Sequence, residues 1–189
     1  MKLTPMPVTG ALLIEPTRHQ DERGYFCELL RDEWLQEAGI DTGFVQTNLS
    51  RSSKGVLRGL HYQFIQPQAK LVCVTRGSAL DVAVDLRPAS TTFGHHLAVE
   101  LSEDNRRLLY LPAGLAHGFL ARSTITDLLY QCSTRWHPES DRGLAWDDPA
   151  LNIDWGIDSP LLSQRDRTAP RLAEVPATEL PAPASACME

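Results

Sequence analysis

The side chains best suited to chemistry concentrate in one stretch, Gly55-Val-Leu-Arg58-Gly59-Leu-His61-Tyr62-Gln63. An imidazole with an ordinary pKa close to neutrality is a ready general base. Read as a strand of period two, the stretch puts Arg58 and Tyr62 on one face with Leu60 between them. His61 then falls on the other face with Leu57, Gly59 and Gln63. Two readings of His61 stand level: a base pointing into the mouth of a barrel, or a core histidine with satisfied nitrogens.

Lys70 opens the apolar run at 69–74, and the chain has only two other lysines, Lys2 and Lys54. A lysine there is ordinarily a solvated strand end. Its scarcity, and its place one strand beyond His61, favour a functional role. His117 precedes Gly118 in another apolar run, which suits a ring facing a cavity. By residue type alone, Tyr130 reads as a core aromatic with a satisfied hydroxyl. Asp166, between Arg165 and Arg167, reads as a solvated surface group. His95 and His96 read as a strand end, and His19 as an unremarkable residue near a loop. Adjacent residues on a strand point to opposite faces, so His95 and His96 cannot grip one ion together. The neighbourhood of His61 lacks a second histidine one residue away. Too few ligands converge, and no metal is expected. Dinucleotide-binding, P-loop and nucleophile-elbow patterns are all absent from the sequence.

These groups have to be held by a scaffold. The chain is 189 residues long, 42% hydrophobic and 22% charged, a balance that suits a globular domain. A chain of this length buries roughly 70% of its unfolded surface and needs no staple. The formal net charge of −6 argues against a nucleic-acid binder but leaves room for one anion held by local cations. No apolar run approaches the roughly 18 residues of a membrane span. Residues 1–10 lack a signal-peptide core, which predicts a cytoplasmic protein. Cys27, Cys73, Cys132 and Cys187 form no CxxC pair. Cys73 and Cys132 read as buried thiols in strand-like runs.

Strand-like runs fill 44–49, 56–64, 69–75, 79–86, 97–101, 107–111, 115–121 and 127–133. Leu80, Val82, Val84 and Leu86 alternate with Asp81, Ala83 and Asp85, the pattern of a half-buried strand. Turn residues separate the runs, and Arg51 to Lys54 reads as a basic hairpin tip. Many short strands with turns between them predict an antiparallel sandwich or barrel. The best helix candidate is 32–39, with Asp32 as N-cap and Gly39 as the left-handed closing residue. Residues 137–170 read as loops packed on a sheet, and 175–189 as a Pro/Ala-rich C-terminal tail or surface strap.

Eight fragments, at 21–26, 44–48, 56–61, 69–72, 80–87, 92–94, 111–119 and 129–130, fall in an order and spacing that resemble the dTDP-4-dehydrorhamnose 3,5-epimerase family. The resemblance covers residues 1 to about 172. It implies an all-β, cupin-type antiparallel jelly-roll barrel with a few short helices, one epimerase domain over 1–174. It implies a homodimer exchanging N-terminal strands, with no metal and no cofactor. The implied reaction inverts carbon 3 and carbon 5 of dTDP-4-dehydro-6-deoxy-D-glucose to give dTDP-4-dehydro-L-rhamnose.

The resemblance also assigns roles. His61 is the base, Asp166 its orienting carboxylate, Tyr130 the acid on the opposite face of the sugar, and Lys70 the partner of the enolate oxygen. Arg23, Gln46, Asn48 and Arg58 match family positions around the nucleotide-sugar, and Glu28 and His117 positions near the sugar pocket. Arg165 stands where relatives often carry Lys, and Trp136 where relatives carry an aromatic, commonly Tyr, that covers the thymine. Leu80 replaces a commoner Phe. The alternative is a single-centre epimerase on a related dTDP-keto-deoxysugar. A metal-dependent cupin enzyme and an idle sugar-nucleotide binding module are the readings from other classes.

Overall fold

The computed structural model describes residues 1–40 and 43–181. Two antiparallel sheets face each other. The first has six strands, in the order β1 (Lys2–Pro5), β2 (Leu12–Glu15), β10 (Leu108–Leu111), β7 (Lys70–Arg76), β12 (Ile125–Cys132) and β5 (Gln46–Ser53). The second has five, in the order β13 (Asp141–Gly143), β6 (Leu57–Gln63), β11 (Leu115–Ala121), β8 (Ser78–Asp85) and β9 (His96–Ser102). A separate hairpin joins β3 (Arg18–Asp21) to β4 (Gly24–Cys27). Helix is confined to α1 (Asp32–Glu37), α2 (Gln164–Arg167) and three single 3-10 turns among the described residues. This is the antiparallel sandwich expected from the strand spacing, and it agrees with the jelly roll implied by the resemblance. None of these helices is long and apolar enough to cross a membrane.

Apolar side chains from both sheets meet between them: Val72, Leu109 and Leu128 from one, Ala83, Leu101 and Phe119 from the other. The outer face of the five-stranded sheet is covered as well. Leu57, Leu60, Leu80, Val82 and Val84 pack there against Leu144, Leu151 and Trp155, with Leu172, Val175 and Leu180 behind them. This corrects the half-buried reading of 80–86. Residues 79–85 are all buried, because the segment after β13 forms a third layer over the apolar face. The alternation therefore runs inverted. The aliphatic set points at the covering layer, leaving the small and acidic set for the other face of β8. Arg142 clasps Glu179 by paired bonds of 2.9 Å and lies 4.8 Å from the Phe64 ring, which fastens the covering segment to the β13 edge. Of the tail expected over 175–189, residues 182–189, with Cys187, lie outside the described residues.

Local details depart from expectation where tertiary contacts decide. The strand expected at 44–49 is β5 and runs on to Ser53, so Arg51 sits on a strand and not in a turn. It pairs with Asp127 across β5–β12 through two 2.7 Å bonds. The N-cap of α1 is Arg31 and not Asp32; Asp32 and Glu33 instead occupy the first turn, where the helix dipole favours acids. Gly39 does adopt the left-handed conformation, with φ +73°. The short strands β1 to β4 were not legible as strands, being only four residues each.

Asp85 anchors the turn after β8. Its buried carboxylate accepts from Arg87 Nε at 2.8 Å and Nη2 at 2.7 Å, and from Ser90 and Thr92 hydroxyls at 2.6 Å each. Burial pushes this carboxyl up, but the converging donors outweigh it and bring it down to about 2. The folded value lies below the unfolded one, so the stabilisation is complete above about pH 4 and is lost as pH falls towards 2. We expect Asp85→Asn to remove about 2 kcal/mol at neutral pH and to flatten that part of the acid limb. Urea unfolding of both proteins across this pH range is the check; parallel curves would contradict it.

Candidate active site

The cleft opens between the two sheets and has a volume of about 490 Å³, within the range of small-molecule sites. One wall is the five-stranded sheet, which contributes Arg58, His61 and Gln63 from β6 and His117 from β11. The facing wall contributes Lys70 from β7, Tyr130 and Cys132 from β12, and Gln46 and Asn48 from β5.

Strict alternation puts Arg58 and His61 on opposite faces, but both line this cleft. The pairing of β6 with β11 explains the discrepancy. His117 lies opposite His61 and Phe119 opposite Arg58, so three steps on β6 match two on β11. The extra residue is a β-bulge, and it returns Arg58 and His61 to one face while Leu57 and Leu60 share the other. Glycine makes the bulge possible. Gly59 has φ +105°, and a Cβ there would lie 2.5 Å from Gly118 Cα. A Cβ on Gly118 would in turn meet the Arg58 carbonyl oxygen at 2.6 Å. The two backbones touch where any side chain would part them.

His61 Nε2–H donates to Asp166 Oδ1 at 2.5 Å. The partners are 105 residues apart. They meet because Leu161 bonds to both Gly55 and Leu57 at the start of β6, which docks the segment leading into α2. Ser163 caps that helix by accepting the Asp166 backbone N–H at 3.1 Å. Asp166 is only 4% exposed, which corrects its reading as a solvated group. Burial alone pushes its carboxyl up; the His61 and Ser163 donors and nearby Arg165 bring it net below the usual range. The carboxylate therefore holds the proton on Nε2 and leaves the His61 Nδ1 lone pair as the free base position.

A second imidazole–carboxylate pair lies alongside. His117 Nε2 is 2.9 Å from each oxygen of Asp81, both residues being buried. Its ring stands 6.4 Å from that of Tyr130 at an interplanar angle of 61°. Tyr130 is half-buried and lines the cleft, with no protein partner for its hydroxyl among the described residues. The reading as a core aromatic with a satisfied hydroxyl therefore fails. Burial pushes its phenol up. Lys70 is 8% exposed, with no ion-pair partner among the described residues. Burial pulls its ammonium down, opposed by Cys132, Asp141 and Asp81.

Gln46 and Asn48 hold each other at 3.1 Å, and the Trp136 backbone N–H donates to Gln46 Oε1 at 2.9 Å. Arg58 Nε donates to Ser52 at 3.0 Å and its Nη2 to the Arg51 carbonyl at 3.3 Å. Trp136 lines the rim. Arg165 stands just outside the lining and pairs with Asp141 at 2.7 Å. Arg23 and Glu28 are not brought to this cleft within one chain. Arg23 bonds Asp21 in the β3–β4 hairpin, and Glu28 bonds Arg31 at 2.6 Å. Sequence reasoning missed Asp81, Asp141 and Cys132. Asp81 carried a signal, since it lies in the acidic set of an otherwise aliphatic strand; Asp141, in a loop-like segment, carried none. Among the described residues, no group of three or more His, Cys, Asp or Glu side chains is arranged to hold a metal ion.

The arrangement is a two-sided site, with an oriented imidazole on one wall and a phenol and a buried lysine on the other. It suits removing a carbon-bound proton on one face of a flat intermediate and returning one on the opposite face. A family model described as dTDP-4-dehydrorhamnose 3,5-epimerase matches residues 5–174. A dTDP-4-dehydrorhamnose 3,5-epimerase of Methanothermobacter thermautotrophicus is 49% identical over 170 residues, covering 88% of this chain and 92% of that protein. One from Pseudomonas aeruginosa is 46% identical, covering 92% and 97%. A crystal structure of the dTDP-6-deoxy-D-glucose-3,5-epimerase of Legionella pneumophila with dTDP-4-keto-L-rhamnose is similar, with a TM-score of 0.92. It is 42% identical and covers 97% of this chain and 99% of that one.

Proposed function

The chain belongs to the dTDP-4-dehydrorhamnose 3,5-epimerase family, and from that premise we propose that it inverts carbon 3 and carbon 5 of dTDP-4-dehydro-6-deoxy-D-glucose. The observation that carries this reading is the pairing of His61–Asp166 on one wall with Tyr130 and Lys70 on the other.

Both reacting carbons flank the C4 ketone. His61 Nδ1 takes the proton, and the electron pair moves into the carbonyl to give an enolate. Lys70, buried on the facing wall, meets the developing oxygen charge. Preorganised groups of this kind typically contribute about 10²–10³ in rate. Tyr130 returns a proton from the opposite face. Asp166 stabilises the imidazolium formed at His61 without taking its proton. Arg58, Gln46 and Asn48 bind the nucleotide-sugar. Arg suits the diphosphate, because its planar fork bonds two oxygens together. Trp136 covers the base, and His117 borders the sugar.

Arg23 and Glu28 enter this scheme only in a homodimer. Among the described residues the β3–β4 hairpin pairs with no other strand, and Phe26 on it is 70% exposed. An exposed aromatic on an unpaired hairpin suits exchange with a second copy, which carries Arg23 and Glu28 to the partner's cleft.

Proton NMR of the keto-sugar nucleotide in heavy water tests the reading. Deuterium is expected at both carbon 3 and carbon 5. Uptake at one carbon would make the protein a single-centre epimerase, and thymidine diphosphate binding without any uptake an idle binding module.

A further inference from the structure

Asp141 takes no part in the proton transfers above, yet two other parts of the cleft rim meet on one of its oxygens. Oδ2 accepts the Trp136 indole N–H at 3.0 Å and the Arg165 Nη1–H at 2.7 Å. Asp141 itself sits on β13, opposite Gln63, two positions before Gly143, which pairs with His61. Arg165 is the residue before Asp166, the carboxylate that holds His61. Burial pushes the Asp141 carboxyl up, and the Arg165 and Trp136 donors, with His61 nearby, bring it net below its ordinary value. It is therefore an anion at neutral pH, the better acceptor for both donors.

Trp136 needs such a tether. It is 58% exposed, so packing alone leaves its ring free to rotate. Its backbone N–H is held by Gln46, and among the described residues its indole N–H has one hydrogen-bond partner, Asp141.

We propose that Asp141 is a positioning residue: its carboxylate locks the Trp136 indole in the orientation that covers the nucleotide base and holds Arg165 beside it. The base-covering part rests on the function proposed above; the lock itself is a property of the free protein. A ring already oriented loses less freedom on binding, so removing the lock weakens nucleotide affinity about tenfold and leaves the chemical step nearly untouched.

The test uses the full chain as wild type, Asp141→Ala, Asp141→Asn and Trp136→Phe. The protein has four tryptophans, Trp34, Trp136, Trp146 and Trp155. Their indole N–H resonances in ¹H–¹⁵N NMR are the first readout, with Trp136→Phe identifying the Trp136 signal. Asp141→Ala is expected to shift that signal and speed its hydrogen exchange while leaving the other three in place. Asp141→Asn is expected to keep it protected, because its amide oxygen still accepts the N–H. The second readout is calorimetric affinity for thymidine diphosphate, together with kcat and KM. Asp141→Ala is expected to raise Kd and KM about tenfold with kcat within about threefold, and to cost less in the Trp136→Phe background. Asp141→Leu, which fills the volume without an acceptor, replaces the alanine variant if that fails to fold. An unmoved Trp136 signal, or a fall in kcat at constant KM, overturns the proposal. Wild-type protein that binds no thymidine diphosphate overturns the base-covering role and the proposed function together, while the indole signal still reports on the lock.

Discussion

His61→Ala is expected to slow deuterium uptake at both carbon 3 and carbon 5 by about 10²–10⁴-fold, the contribution of a positioned base. The two centres should fall together, since one imidazole serves both. The reason is geometric. The Nε2–H is committed to Asp166, so Nδ1 is the only nitrogen of His61 able to accept a proton. Asp166→Asn tests the same geometry from the other side. An asparagine amide can turn its NH₂ towards Nε2, which stabilises the tautomer with the proton on Nδ1 and puts a donor where the base should be. A loss of similar size is expected, in a protein whose thymidine diphosphate affinity is unchanged. If His61→Ala exchanges deuterium at the wild-type rate, another group is the base.

Tyr130→Phe should separate exchange from inversion. The base wall is intact in this variant, so His61 still removes and returns protons on its own face, and deuterium uptake should stay within about tenfold of wild type. Delivery to the opposite face loses its acid, and formation of the inverted sugar should fall by about 10²–10⁴-fold. The phenol is suited to the role because burial keeps it protonated until an enolate arrives beside it. Solvent isotope uptake and product stereochemistry, read in one NMR time course, give both numbers. If the two rates fall equally, Tyr130 is not a one-face proton donor but serves the whole site.

Much of the scaffold was legible in the sequence, because β-strands with turn residues between them announce themselves by spacing. The site was legible only in pieces. His61 and Lys70 stood out by type and context. Tyr130 and Asp166 did not, since their partners are remote in sequence: Asp166 reaches His61 only through the docking of residues 161–163 against the start of β6. The family resemblance placed them where periodicity could not. Periodicity misled outright at Arg58 and His61, because a bulge changes the parity of a strand and leaves no mark in hydrophobic pattern beyond the glycine that permits it. It misled again at 80–86, where the covering layer that buries the outward face comes from residues 144–180. Arg23 and Glu28, which the resemblance assigned to the site, pair with Asp21 and Arg31 away from the cleft of their own chain, and reach a cleft only in the homodimer proposed above.

The contact between Gly59 and Gly118 has a consequence for how such an enzyme can change. Two backbones pressed together leave no room for variation on the floor of the cleft, so drift towards new sugars or new nucleotide bases has to be absorbed elsewhere. The positions with room for another side chain lie at the border of the cleft, at Gln46 and Asn48 on an outer strand and along the stretch from Trp136 to Asp141. Laboratory libraries aimed at altered selectivity should be spent on that border, and the β6–β11 seam left alone.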